Sequence, residues 1–121
     1  MALLSDVIGD QVGSLNTYKT GRRDLGSQSG AVNLDLALSN DFTCTLTGNT
    51  TFTIINTPST GVVSFSLQLT GGGSYTTTFA NAKYPAATAP ALTSGGIDVI
   101  TFITYDNGVN WRGTISMKDS R

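Results

Sequence analysis

Val32-Asn33-Leu34-Asp35-Leu36-Ala37-Leu38-Ser39 alternates apolar residues with polar or small ones. That period of two belongs to a strand with one face buried, because successive side chains of a strand point to opposite sides. Phe42, Cys44 and Leu46 continue the pattern between threonines, and Ser39-Asn40-Asp41 separates the two runs. Gly48-Asn49 then reads as a tight turn into Thr51 to Asn56, with Phe52 and Ile54 on one face, so Phe42 to Asn56 is expected to be a hairpin. The loop Asn56-Thr-Pro-Ser-Thr-Gly61 leads to Val63, Phe65, Leu67 and Leu69, which alternate with Ser64, Ser66 and Gln68. A break at Gly71-Gly72-Gly73 and a further run through Tyr75, Thr77 and Phe79 predict a second hairpin.

From Ala80 to Gly96 the composition turns to Ala, Pro, Thr and Gly, with Pro85 and Pro90, which predicts an irregular excursion with at most a short edge strand near Leu92. Ile97 to Tyr105 is apolar on both faces. Ile97, Val99, Ile103 and Tyr105 share one side and Ile100 and Phe102 the other, so this run is the candidate central strand. One of its faces would line the core and the other would meet a neighbouring subunit. Asp106-Asn107-Gly108 supplies a turn, and Trp111, Gly113, Ile115 and Met117 form one face of a last strand.

Seven to eight short strands with turns about every ten residues describe an all-β, antiparallel β-sandwich or jelly-roll-like domain over residues 31–121. Residues 1–30 differ: Leu3, Leu4, Val7 and Ile8 have helical spacing, but five glycines from Gly9 to Gly30 prevent a long helix. This segment reads as an extended N-terminal arm. Lys19, Arg22 and Arg23 form a basic cluster beside Tyr18, suited to an acidic partner surface but too few for tight binding along a nucleic-acid backbone.

The composition agrees with strands. Charged residues make up 12% of the chain, glutamate is absent, and 19 threonines and 14 glycines favour pleated surfaces and turns over helix. A net charge of −1 provides no field for gathering nucleic acid or an anionic membrane, and no apolar run approaches the length of a membrane-spanning helix. Met1 to Asp10 lacks a basic residue and hence the flank of a signal peptide, so synthesis in a cytoplasm is expected.

Enzyme chemistry finds little to work with. Without histidine the chain lacks the commonest general base and metal ligand, and one cysteine, Cys44, cannot make a zinc site or an internal disulfide. Asp41 and Asp106 sit in predicted turns, where aspartate bonds its own backbone, and Asp35 lies on an outward face. No catalytic residue, metal or cofactor is therefore expected. Trp111 shares a face with Ile115 and Met117, which suits a core or interface anchor; the alternative is a sugar-stacking platform together with Tyr75, Tyr84 and Tyr105.

Several stretches together carry a resemblance: Gly30-Ala-Val-Asn-Leu-Asp-Leu36, Leu46-Thr-Gly-Asn-Thr-Thr-Phe52, Lys83-Tyr-Pro85 with Ala89-Pro-Ala-Leu92, Ile97-Asp-Val-Ile-Thr-Phe102, Asp106-Asn-Gly108 and Trp111-Arg-Gly113. They resemble a β-rich module found in structural proteins of tailed bacteriophages, in tail fibres and in small head-associated proteins. The resemblance implies a homotrimeric virion component. Standing alone behind an arm, such a module would be a capsid decoration, or cement, protein on the outer surface of the head. The arm residues Leu3, Leu4, Val7, Ile8, Tyr18, Lys19, Arg22 and Arg23 would then hold the major capsid protein. The alternative is a tail-fibre module that grips a bacterial surface glycan.

Overall fold

The computed structural model describes residues 21–121. Seven strands are present among them: β1 (Arg23–Asp35), β2 (Asp41–Ile55), β3 (Val63–Thr70), β4 (Thr77–Phe79), β5 (Ala82–Lys83), β6 (Ile97–Thr104) and β7 (Trp111–Met117). They form one curled mixed sheet in the order β1-β2-β3-β6-β7-β5, with β4 attached to β2. The all-β class is thus as the alternation predicts. The strand directions are not, because β2 runs parallel to β1, to β3 and to β4, and β5 runs parallel to β7. Only β3–β6 and β6–β7 are antiparallel among the described residues.

The curl follows from the register. Arg23 lies opposite Phe42, and Asp35 opposite Ile55. A straight β1 would separate its ends by about 40 Å at ~3.3 Å per residue. The seven residue-to-residue steps from Asp35 to Phe42 reach at most about 25 Å, so they could not carry the chain back. Both strands must bend, and β1 does so at Gly26 (φ 68) and Gly30 (φ 79), where its register with β2 slips. The chain therefore wraps round its own core and comes back beside itself in the same direction.

Both expected hairpins are corrected. A two-residue hairpin turn of the Asn-Gly type needs positive φ at both central residues; neither Gly48 nor Asn49 has it, and both lie inside β2 as a bend. The Asn49 side chain instead accepts a hydrogen bond from the Thr76 N–H at 2.9 Å, which helps to set β4 beside β2. The second glycine run is a corner. Gly71 N–H donates to Gly96 O and Gly73 N–H to Thr93 O, and a Cβ on Gly73 would lie 2.1 Å from Leu92 O, so glycine is needed there for the 92–96 segment to approach.

Inside the curl the apolar side chains of the alternating runs meet. Phe52 stacks on Phe79 at 5.1 Å, Phe79 meets Phe102 at 4.9 Å, and Phe65 contacts both Phe102 and Trp111. Val32, Leu34, Phe42, Cys44, Leu46, Leu67, Leu69 and Ile100 complete the core. β6 lies between β3 and β7 and buries Asp98, Ile100, Phe102 and Thr104, while Ile97, Val99, Thr101 and Ile103 on its other face are half-buried. Leu38 and Met117, apolar members of predicted inward faces, are exposed. The short strand of the Ala80 to Gly96 excursion is β5, at Ala82–Lys83, not near Leu92.

Candidate functional site

β5 is only two residues long, yet it sets up a surface groove. Trp111 N–H donates to Asn81 O, which brings Ala82 opposite Trp111 and Lys83 opposite Arg112. Trp111 is buried, so the alternation turns Ala82 inward and leaves Lys83 and Arg112 exposed side by side. Tyr84 turns in again and sets its ring against Phe102 at 6.4 Å. Burial pushes the Tyr84 hydroxyl above its usual pKa. Pro85–Ala87 then forms a tight turn in which Ala86 (φ 54) and Ala87 (φ 56) both adopt the left-handed conformation, strain that non-glycine residues seldom carry.

Two adjoining depressions of about 530 and 370 Å³ share Lys83, Tyr84 and Arg112. The first adds Ala82, Ala87 and Asn110; the second adds Pro85, Ile103, Gly113 and Thr114 and is mostly apolar. Among the described residues the one ion pair is Arg121 with Asp119 at 2.7 Å, so neither groove cation has a carboxylate partner there. The nearby Asp106 carboxylate accepts from the Asn110 N–H and side-chain amide and from the Thr104 hydroxyl. Those bonds hold its pKa below the ordinary value.

A second surface feature is apolar. Leu38 (58% exposed), Val62 (56%), Tyr105 (68%) and Val109 (66%) sit on three neighbouring loops. Leu36 N–H donates to Ile55 O and the Asn56 amide to Asp35, tying the first loop to the second. Val63 pairs with Thr104, and Gly108 packs on Thr57, tying the second to the third.

The residues singled out from the sequence are scattered. Ile100, Phe102 and Trp111 are all buried in the core, so Trp111 offers no sugar platform. Tyr84 lines the groove, Tyr75 lies in a separate depression with Pro90 and Leu92, and Tyr105 belongs to the apolar loops. The four aromatics do not come together. Arg22 and Arg23 are exposed at the start of β1, inside the segment read as an arm; Leu3, Leu4, Val7, Ile8, Tyr18 and Lys19 lie outside the described residues. Lys83 and Arg112 were not singled out, since only the β5–β7 pairing joins them.

The carboxylates act on the backbone around them. Asp24 accepts from Gly26 N–H and the Thr43 hydroxyl, and Asp35 from Ala37 N–H. Asp98 is fully buried and accepts from Thr93 N–H (2.7 Å), the Thr93 hydroxyl (2.8 Å) and Asp119 N–H (2.9 Å). Burial alone would raise its pKa, but these bonds outweigh it and hold the carboxyl below its ordinary value. Burial, helped by the charge of Asp24, pushes the Cys44 thiol up to about 11. Compared with family models, curated proteins and solved structures, the chain matches none.

Proposed function

We propose that this chain is a structural protein of a tailed-bacteriophage virion, a decoration protein that binds the assembled head as a homotrimer and strengthens it without catalysis or a cofactor. In this reading the two limbs of the curl serve as the sheets of a sandwich, and the residues that precede β1 form the arm that holds the major capsid protein. The observation that carries it is the run of exposed apolar side chains Leu38, Val62, Tyr105 and Val109 on three adjoining loops. Large apolar side chains exposed on neighbouring loops are costly in water and suit a protein partner. A protein that binds the assembled shell and not its free subunits stabilises the shell by mass action. Particles lacking the chain should assemble but burst at lower temperature, and adding the purified protein should restore them. Equal heat resistance with and without it would refute the reading.

The Lys83–Arg112 groove favours a second reading, a tail-fibre module recognising a bacterial surface glycan. Saturable binding of the purified protein to host cells, together with equal heat resistance of the two kinds of particle, would select it over the first.

A further inference from the structure

We infer that the groove formed by Lys83, Tyr84, Asn110 and Arg112 binds an acidic sugar residue, a pyranose ring that carries a carboxylate. The inference deepens the glycan reading and is independent of the shell reading, since a sugar site can be tested on the free protein wherever the chain resides.

Charge is the first argument. Lys83 and Arg112 are directly opposite on neighbouring strands, whose backbones lie about 4.8 Å apart. Like charges in that position destabilise a sheet. The chain has seven lysines and arginines in all, and two of them stand together here with no ion-pair partner among the described residues. A bound anion would turn this repulsion into attraction, and the arginine fork matches a carboxylate with two parallel hydrogen bonds.

Shape narrows the class of anion. A bare inorganic anion would satisfy the cations but leave the apolar wall of Tyr84, Pro85, Ile103 and Gly113 uncovered. A sugar ring has an apolar C–H face for that wall and hydroxyls on its rim, which can donate to the Asn110 amide oxygen in the adjoining depression while Asp106 holds the amide nitrogen. The Tyr84 ring is already fixed against Phe102, so it loses little freedom when a ligand arrives. The left-handed Ala86 and Ala87 hold the rim beside it in a strained turn, a conformation that tends to occur where a surface is shaped for contact.

The test uses the full chain and three probes: tri-galacturonic acid, its methyl ester and inorganic phosphate, followed by titration calorimetry and amide chemical shifts. The acid should bind, with shifts centred on residues 82–87 and 110–114, and more weakly as salt is raised. The methyl ester and phosphate should each bind at least about tenfold more weakly, the loss expected when a charge-assisted contact or the apolar contact is missing. K83Q/R112Q should lower affinity for the acid by a similar factor while melting no lower than the wild type, because the like-charge pair is gone. No binding of the acid, equal binding of ester or phosphate, or an affinity untouched by K83Q/R112Q would overturn the inference. None of these results bears on shell reconstitution, so the two readings fail separately.

Discussion

Replacing Asp98 with alanine should be among the most damaging changes of a polar residue in this protein. Its carboxylate joins three segments: β6, on which it sits, Thr93 in the loop before it, and Asp119 after β7. Asp98→Ala leaves two backbone N–H groups without their acceptor, at about 1–3 kcal/mol each when unsatisfied. Thr93 is half-buried and Asp119 exposed, so water relieves part of this, and we expect a loss of about 2–4 kcal/mol. At roughly 4 °C per kcal/mol for a domain of this size, the melting temperature should fall by roughly 8–16 °C. The pH dependence identifies the cause. The folded-state pKa of Asp98 is depressed, so its contribution is fully present above the unfolded-state pKa, near 4, and is lost as pH falls through the folded value. Thermal melts of wild type and variant should therefore be separated by a constant interval above about pH 5 and draw closer as pH falls below about 4. A variant within about 2 °C of wild type at pH 7, or an interval as wide at pH 3 as at pH 7, would show that the bonds do not hold the fold as argued.

Gly113→Ala would place a Cβ 2.3 Å and 2.6 Å from two carbons of the Phe102 ring, which is already wedged among Phe65, Phe79 and Tyr84. Urea unfolding should show a loss of about 1–3 kcal/mol or more, partly recovered in the double variant with Phe102→Leu. Cys44 is buried with its thiol pushed up to about 11, so at pH 8 a disulfide reagent should modify it only after urea unfolds the chain. Rapid labelling of the folded protein would contradict that burial.

What the sequence reveals about this fold is which side chains face inward. Phe42, Cys44, Leu46, Phe52, Phe65, Leu67 and Leu69 stand at alternate positions and are buried. Period two, however, is the same for parallel and antiparallel neighbours, so it carries no information about partners. Direction depended on whether Gly48-Asn49 takes positive φ, and what holds it as a bend is the bond between Asn49 and Thr76, far along the chain. Asp106-Asn107-Gly108 was legible because its turn is local: Asn107 (φ 60) and Gly108 (φ 85) adopt the backbone their residue types favour. The groove was legible only in part. Tyr84 stood out as an aromatic, but Lys83 and Arg112 are ordinary exposed cations until a two-residue strand pairs them.

The corners in β1 have a consequence beyond closing the core. Among the described residues β1 ends the sheet, and it is 13 residues long. A straight edge of that length presents a row of free amides and carbonyls on which a foreign strand can template, the usual route to aggregation. Gly26 and Gly30 break the row into short pieces that point in different directions, and Arg23 and Asp24 put charge on the first of them. An incoming strand finds at most the six residues from Gly30 to Asp35 in one direction. Substituting either glycine would strain the backbone at a corner, so the residues that make the curl also keep this edge from being one long straight template.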